Sequence, residues 1–268
     1  MNAVRGDIAD VALAGTLFAP HYAKPLLKAC VKADALILDA PSRSGRAVSQ
    51  LLHGEDFAVI DISGGWAWGY CRHDHYVGYV SLDALGATIQ PTHVVNHRST
   101  LVFAQPDSRG PFIGTYSMGT LLQGIAEDDF LHTDAGYILL RHVRPVAERD
   151  ADPVALAERL LGTPYYWGGR GFDGIDCSGL VQLTLGLTGI AVPRDSDQQQ
   201  AAIGKKIAAS DKLRRGDLVF IPGHVGMMFD DERLIHANGH AMSVTIDPLA
   251  EVLARHDQPT MIAKRIAQ

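Results

Sequence analysis

Cys177 is the residue of this sequence best placed for nucleophilic chemistry. It lies in YYWGGRGFDGIDCSGL (residues 165–180), where an apolar helical periodicity begins at Leu180, just after Asp176, Cys177 and Ser178. A helix is therefore predicted to begin at the cysteine, and the unpaired N–H groups and the dipole of a first turn favour a negative charge. We expect a lowered thiol pKa and a reactive thiolate. The preceding loop, WGGRGFDG, is rich in glycine and suits close approach of a ligand. The alternative is a packed structural cysteine.

Two histidines are the candidate partners of this cysteine. A thiolate nucleophile needs an imidazole that pairs with it and later protonates the leaving amine. His224 in FIPGHVGMMF and His236 in ERLIHANGH stand in apolar, strand-like text, with DDER between them as a hairpin turn. Adjacent strands would bring the two rings together, one as the base and the other to orient it. His240 is a rival for the orienting role. A zinc site of Cys177, His224 and His236 is a further alternative.

Composition and charge exclude several classes of partner. The chain has 268 residues, 47% of them hydrophobic and 20% charged, which is a globular composition with room for two or three small domains. The net charge of -6 and the absence of a Lys/Arg block give no general attraction to nucleic acid or to an anionic membrane. We therefore expect neither as a partner. The oligomeric state is left open.

Location is predicted from the first 25 residues and from the cysteines. The apolar run from Val11 to Phe18 follows two aspartates, is broken by Gly15 and lacks the features of a secretory signal. No stretch approaches the roughly 18 apolar residues of a membrane span. The three widely spaced cysteines fit a reducing compartment better than a disulfide framework. A cytoplasmic location is predicted, and Cys30 and Cys71 are expected to be packed and unreactive.

The first half of the chain has the pattern of small all-β domains. Between residues 35 and 85, aromatic and β-branched runs alternate with Gly-Gly and charged turns, which predicts short antiparallel strands. A second stretch, residues 92–145, repeats the pattern, although SMGTLLQGIAEDDF in its middle fits strand or helix. The predicted segments are residues 1–32, packing on the barrels, then one small barrel at 33–90 and another at 91–147.

The second half, residues 148–268, changes to helices followed by strands. Asp152 is a candidate N-cap with Pro153 at the first helical position, and Gly162 and Pro164 end that helix. The cysteine helix follows, with Leu180, Leu183 and Leu187 spaced for one buried face. GDLVFIP, HVGMMF, RLIHA and MSVTI are then predicted strands. Helices first and antiparallel strands after indicate an α+β domain.

The combined motifs of this second half resemble a known family. GTPYYWGG, DCSGLVQ, PRDSDQQ, RGDLVFIPGHVGMMF and LIHA follow one another in the order and spacing of the NlpC/P60 cysteine peptidases, over residues 152 to 265. The resemblance implies a papain-like α+β core, a Cys-His-His catalytic arrangement, and cleavage of cell-wall peptides at γ-D-glutamyl bonds without a cofactor or metal.

The resemblance also implies a role for each matching residue. Cys177 would be the nucleophile, His224 the general base and His236 the orienting group. Tyr165 would stabilise the oxyanion together with the backbone N–H of Cys177. The implied substrate-binding residues are Asp176, Ser178, Asp195, Ser196 and Trp167. Within this set, Asp195 would meet a free substrate amine, and Ser178 and Ser196 would bind the α-carboxylate of D-glutamate.

The upstream segments resemble bacterial SH3 modules, most clearly at GGWAWGY and YVGYV. Together with the predicted location, this likeness points to the cytoplasmic recycling branch of the family, in which the first SH3-like domain admits only peptides with a free N-terminal L-alanine. A buried carboxylate pairing with the ammonium would give that selectivity. Asp74, Tyr76 and Tyr79 are candidates for this wall, with ordinary turn and core roles as the alternative.

The sequence thus predicts a cysteine peptidase that releases L-Ala-γ-D-Glu from murein tripeptides or tetrapeptides. Two alternatives remain at this level. One is an exported hydrolase that accepts intact peptidoglycan, and the other is a binding module whose papain-like core has lost activity. The presence of all three triad residue types argues against the second alternative.

Overall fold

The computed structural model describes residues 2–208, 210–255 and 260–266. The chain divides into two compact units, Met1–Ala147 and Glu148–Gln268. No helix among the described residues combines the length and the apolar character needed to cross a bilayer. The cysteines Cys30, Cys71 and Cys177 are all buried free thiols.

The first unit is built of β-strands joined by three short 3-10 turns. The strands of its first half are β1 (Ile8–Asp10), β2 (His21–Ala23), β3 (Leu26–Cys30), β4 (Asp34–Leu38), β5 (Ala47–Leu52), β6 (Asp56–Ser63), β7 (Trp66–Cys71), β8 (Val77–Ser81) and β9 (Leu85–Gly86). Those of its second half are β10 (His93–Val95), β11 (Ser99–Phe103), β12 (Phe112–Ser117), β13 (Leu121–Leu122), β14 (Gly124–Glu127), β15 (Phe130–Thr133), β16 (Gly136–Leu139) and β17 (Val143–Pro145). The 3-10 turns are Val11–Leu13, Leu82–Ala84 and Leu140–His142.

Strands β3 to β9 form one seven-stranded sheet in the order β5-β4-β8-β7-β6-β3-β9. Gly64 and Gly65 make the turn between β6 and β7, both with positive φ, as a tight hairpin of this hand requires. The inward side chains form a core that includes Ile37, Phe57 and Val80. Strand β3 belongs to this sheet, so the first module begins before the predicted residue 33. The reason is long-range pairing of β3 with β6, which no local pattern reveals.

Strands β10 to β17 have a separate core, which includes Val102, Leu131 and Ile138. They form a five-stranded sheet, β12-β11-β16-β15-β14, and a three-stranded sheet, β13-β10-β17. The ambiguous segment SMGTLLQGIAEDDF is extended, contributing β13 and β14. In neither half of the unit do the ladders of the described residues close into a ring. The prediction of two β modules therefore agrees with the strands, whereas two closed barrels are not confirmed.

The second unit contains helices followed by an antiparallel sheet. Its helices are α1 (Pro153–Arg159), α2 (Cys177–Leu187), α3 (Ser196–Ala202) and α4 (Leu249–Ala254). Its strands are β18 (Arg170–Gly171), β19 (Gly174–Ile175), β20 (Lys205–Lys206), β21 (Leu218–Ile221), β22 (His224–Met228), β23 (Arg233–Asn238), β24 (Ser243–Pro248) and β25 (Ile262–Arg265). The main sheet has the order β20-β25-β21-β22-β23-β24.

Local sequence explains how α1 begins, and packing explains the support that α2 provides. The Asp152 carboxylate accepts from the Val154 N–H at 2.8 Å and Pro153 opens α1, as predicted. Helix α2 packs against β22 and β23. The predicted single buried face of α2 is wrong, because every residue of the helix except Gly186 is buried. An apolar helix enclosed on all sides is a rigid support for the side chain at its first position.

Candidate active site

Cys177 is the first residue of α2, and two backbone groups hold its sulfur. The Asp176 carboxylate caps the helix by accepting from the Gly179 N–H at 2.7 Å. Backbone hydrogen bonds from Val225 and Ser178 reach the Cys177 sulfur. Because Val225 directly follows His224, the start of β22 lies against the start of α2. The thiol is only 7% exposed.

The expected lowering of the Cys177 pKa is wrong for this structure. Burial, followed by the negative charge of Asp176, raises the pKa of the Cys177 thiol to about 11. The backbone hydrogen bonds and the charge of Arg194 act in the opposite direction but are smaller. Desolvation of a thiolate therefore outweighs the helix terminus. The thiol is the resting form at neutral pH, and a base must take its proton for attack.

The structure brings the two predicted histidines together. His224 opens β22 and His236 lies in β23, and His224 Nε2 is 2.7 Å from His236 Nδ1. The register places Gly226 opposite His236, since Met227 pairs with Ile235. A Cβ on Gly226 would lie 3.0 Å from the His236 Cβ and 2.8 Å from Leu234, so glycine is needed for the ring to lie there.

Asp247, which contacts His236, determines which histidine of the pair donates the hydrogen bond between them. His236 Nε2 lies 3.2 Å from Asp247 Oδ2, and the pKa of Asp247 is lowered, so this carboxylate is ionised and accepts. Burial lowers the pKa of His236 and keeps the ring neutral, with its hydrogen on Nε2. His236 Nδ1 must then accept from His224 Nε2–H. The lone pair of His224 is consequently on Nδ1, which is the arrangement of a general base.

Asp247 is a functional candidate that sequence reasoning missed. Its Oδ2 also accepts from Thr245 Oγ1 at 3.3 Å and from Arg255 Nη1 at 3.0 Å. Thr245 pairs with His236 across β23 and β24, and Asp247 lies two positions further on the same face. Side chains alternate between the two faces along MSVTID, so Asp247 shares a face with Thr245. The sequence does not give the register of β24 on β23, which is needed to place that face beside His236.

Asp176 and Arg194 form a buried clamp beneath the cysteine. Arg194 donates to both Asp176 oxygens, at 2.9 and 2.7 Å, and also to Ser178 Oγ at 2.8 Å. Asp176 further accepts from Gly168 N–H and Ser178 Oγ–H. Protein donors fill the Asp176 carboxylate, and both side chains are buried, so Asp176 and Ser178 position the start of α2. Their predicted contacts with substrate stay predictions, and Arg194 was missed as their partner.

Tyr165 lies near the thiol, as the order of the loop implies. The segment from Pro164 to Tyr166 pairs with Ile175, two residues before the cysteine. Burial and then the nearby Cys177 raise the pKa of the Tyr165 phenol to about 12, so it stays protonated and able to donate. Trp167, in the same loop, is 58% exposed and offers an open aromatic face.

Asp195 and Ser196 lie where α3 begins. Asp195 is the residue before the helix, is half-buried, and accepts from Gln198 Nε2 at 3.2 Å rather than capping a backbone N–H. Ser196 is the first residue of α3 and is half-buried. Both follow Arg194 directly, so the buried clamp fixes the position of this turn.

Asp74 and Tyr76, two of the three residues predicted to form a substrate-contacting wall of the first β module, lie inside that module. The Asp74 side chain is completely buried, and its Oδ1 accepts from the Tyr76 N–H at 2.9 Å. Tyr76 is 8% exposed and packs in the core. The hairpin after β7 turns both side chains inward, which fits the turn and core roles that the sequence left open as the alternative. Tyr79 is half-buried and lines a cavity of about 470 Å³ that also contains Trp66 and Arg5.

The alternatives for the histidines are resolved by position. His240 is exposed in the turn between β23 and β24, so it is not the orienting group. Among the described residues, the potential metal-ligand group is Cys71, His73 and Asp74, and it does not include Cys177, His224 or His236. The zinc alternative at these residues is therefore not supported.

With this geometry established, comparison with known proteins identifies two domains of the chain. Residues 162–261 match the NlpC/P60 family, and residues 37–85 match the bacterial dipeptidyl-peptidase SH3 domain. This chain combines an NlpC/P60 domain with a bacterial SH3 domain. The NlpC/P60 match spans Cys177, His224 and His236. The SH3 match covers the first β module only.

The NlpC/P60 likeness extends to whole relatives and to solved structures. Dipeptidyl-peptidase 6 of Lysinibacillus sphaericus is 28% identical over 253 residues, which cover 83% of this chain and 92% of the relative. The γ-D-glutamyl-L-lysine dipeptidyl-peptidase of Bacillus subtilis is 33% identical over 102 residues, 35% of this chain and 34% of the relative. An NlpC/P60 family protein from Bacillus cereus aligns with a TM-score of 0.75 at 21% identity, over 90% of this chain and 99% of that one. The last comparison shows a shared fold over most of both chains.

Proposed function

We propose that this protein is a cysteine peptidase that cleaves the γ-D-glutamyl–diamino acid bond of peptidoglycan peptides with a free N-terminal L-alanine. The proposal rests on the hydrogen-bonded line from His224 through His236 to Asp247, whose polarity is set for proton abstraction. The residue after His224, Val225, reaches the Cys177 sulfur through its backbone. The name of the Bacillus subtilis relative supports the bond, and that of the Lysinibacillus relative supports release of a dipeptide.

The first step forms an acyl-enzyme. His224 Nδ1 accepts the thiol proton as the Cys177 sulfur attacks the γ-carbonyl carbon, and the carbonyl oxygen becomes an oxyanion. The Cys177 N–H and the protonated Tyr165 hydroxyl are the proposed donors to that oxygen. Asp247 stabilises the imidazolium through the neutral His236. The tetrahedral intermediate then collapses, and the C–N bond breaks.

The second step releases the product. His224 gives its proton to the departing amine of the diamino acid, leaving a thioester of Cys177 with L-Ala-γ-D-Glu. A water molecule then loses a proton to His224 and attacks the thioester carbonyl. The Cys177 thiolate leaves and recovers that proton from His224, and the γ-carboxylic acid of the dipeptide is released and loses its own proton to solvent. No redox change and no cofactor enter this sequence.

The proposal also includes selectivity of the enzyme for peptides with a free N-terminal amine. Asp195 is the proposed partner of the substrate ammonium, with Ser196 and the exposed Trp167 beside the peptide. The Asp195 carboxylate accepts from Gln198 Nε2 at the start of α3, which fixes its direction as a charge-selective pocket requires. Cleavage of free peptides would place the enzyme in murein peptide recycling. The cytoplasmic location stays a prediction.

The test is mass spectrometry of the purified protein with L-Ala-γ-D-Glu-meso-diaminopimelate and with the same tripeptide N-acetylated. Cleavage of the free-amine peptide alone supports the proposal, and the Cys177→Ala variant should cleave neither. Equal cleavage of both peptides would remove the amine selectivity and favour a hydrolase of intact peptidoglycan. Failure to cleave either would overturn the peptidase assignment in favour of a binding module.

A further inference from the structure

The hairpin after β7, in the first unit, gathers three side chains of types that bind metals. In the turn CRHDHY, ligand atoms of Cys71, His73 and Asp74 lie within 4.8 Å of one another. Cys71 closes the turn by donating its N–H to the Tyr76 carbonyl, and it also accepts from the His75 N–H through its own carbonyl. The three donors are a thiol, an imidazole and a carboxylate, which is a ligand set suited to zinc.

We propose that Cys71, His73 and Asp74 bind a zinc ion in the first β module. Zn–N and Zn–O bonds of about 2.0–2.2 Å at a tetrahedral angle place the two ligand atoms about 3.3–3.5 Å apart. His73 Nε2 lies 3.3 Å from Asp74 Oδ2. A Zn–S bond of about 2.3 Å requires the sulfur about 3.6 Å from those atoms, so it must move by about 1 Å at most.

Burial and charge also fit this ion. The Cys71 thiol and the Asp74 side chain are both 0% exposed, while His73 is 33% exposed. Zn²⁺ with one thiolate, one carboxylate and a neutral imidazole has no net charge, so the buried turn does not carry an isolated charge. Solvent on the His73 side supplies the fourth ligand. The second Asp74 oxygen accepts from Tyr76 N–H, which orients the carboxylate as outer-shell partners do.

The competing explanation is a hydrogen-bonded turn with a packed thiol. In that case a protonated His73 pairs with Asp74, and Cys71 remains part of the core. The two explanations differ in an observable way. Zinc binding requires loss of the Cys71 proton, so its apparent affinity rises with pH, whereas the His73–Asp74 ion pair alone gives no thiolate–metal signal.

The experiment is a cobalt titration of the full chain in the Cys177→Ala background, which removes the other candidate thiolate. The purified, chelator-treated protein is titrated with Co²⁺ while the near-ultraviolet thiolate-to-cobalt absorption is followed, and Zn²⁺ is then added in competition. We expect one equivalent of Co²⁺ to bind and one equivalent of Zn²⁺ to displace it. The metal should also raise the temperature of thermal unfolding, and above saturation this rise should grow with the logarithm of the metal concentration.

Matched variants assign the ligands. His73→Ala changes a partly exposed side chain, so the module should stay folded while Co²⁺ affinity falls by more than about the 10- to 100-fold that loss of an outer-shell partner costs. His75→Ala is the control, because His75 lies in the same turn but stacks on Tyr70, with ring centroids 4.8 Å apart. Absence of the absorption in the Cys177→Ala protein, or its persistence in a Cys71→Ser variant, would overturn the proposal. Peptidase activity is measured separately and has no bearing on this result.

Discussion

Replacing Asp247 by Asn tests whether its carboxylate, which contacts His236, determines how strong a base His224 is. The substitution keeps the shape of the side chain and an oxygen that can accept from His236 Nε2–H. It removes only the negative charge. His236 is 1% exposed, so its interaction with that charge is poorly screened by solvent.

The magnitude follows from the geometry of the contact. A hydrogen bond to a charged group contributes about 1.5–3 kcal/mol, and each 1.36 kcal/mol of transition-state stabilisation is about tenfold in rate. The Asp247–His236 contact is 3.2 Å long, and the carboxylate is 20% exposed and shared with Arg255. We therefore expect the lower part of that range, a fall in kcat of about 10- to 30-fold, with KM nearly unchanged.

The pH profile should also move, and its direction follows from the sign of each charge. His236 must be neutral to accept from His224, so activity is lost on the acid side as His236 is protonated. Burial lowers the pKa of His236, and Asp247 opposes that shift. Removing Asp247 lowers this pKa further, so the acid limb moves to lower pH. Arg255→Gln should move it to higher pH, because the Arg255 charge lowers the pKa of His236.

The assay is steady-state cleavage of the free-amine tripeptide over a pH series, with thermal unfolding of each variant as the fold control. Arg255→Gln is the matched control, since it alters the same cluster without removing the acceptor of His236. The ion pair of Arg255 and Asp247 is partly exposed, and its loss should cost no more than about 1 kcal/mol of stability. An Asp247→Asn enzyme with wild-type kcat and an unmoved acid limb would refute the reasoning.

Three further predictions concern the clamp, the thiol and the histidine pair. Arg194→Met removes the counter-charge of the buried Asp176 and should lower the free energy of unfolding in urea by about 3–5 kcal/mol. Adding Asp176→Asn should recover part of this loss. A wild-type unfolding midpoint for the single variant would contradict the prediction. Burial raises the Cys177 pKa to about 11, so the rate of iodoacetamide inactivation of the free protein should rise about tenfold per pH unit between pH 7 and 10. A plateau in that rate beginning below pH 7 would instead show a preformed thiolate–imidazolium pair. His236→Ala should reduce kcat at least about 100-fold through loss of the acceptor that fixes the tautomer of His224, while the exposed His240→Ala stays within about twofold of wild type in the same cleavage assay.

Features that depend on neighbouring residues could be predicted from the sequence. The beginnings of α1 and α2 follow from Asp152 with Pro153 and from Asp176, because a cap acts within one turn of the chain. The meeting of His224 and His236 follows from two strands joined by a four-residue turn. The order of helices and strands in the second unit is likewise a matter of local periodicity.

Features that depend on burial and strand register could not be predicted in this way. The Cys177 pKa is raised because the whole helix is enclosed, and the sequence predicted the opposite from the helix terminus alone. For Asp74 and Tyr76 the sequence left both a substrate wall and turn or core roles open, and the fold of the first module buries both side chains.

The sequence by itself therefore determined which residue types carry the chemistry and which local element holds each of them. Tertiary structure decided which of these groups meet. The pairing of β23 with β24 brings Asp247 to His236, and Arg194 reaches Asp176 from 18 positions along the chain. The physical reason is that proton affinity and hydrogen-bond polarity depend on distance and desolvation, which are fixed only when distant segments pack together.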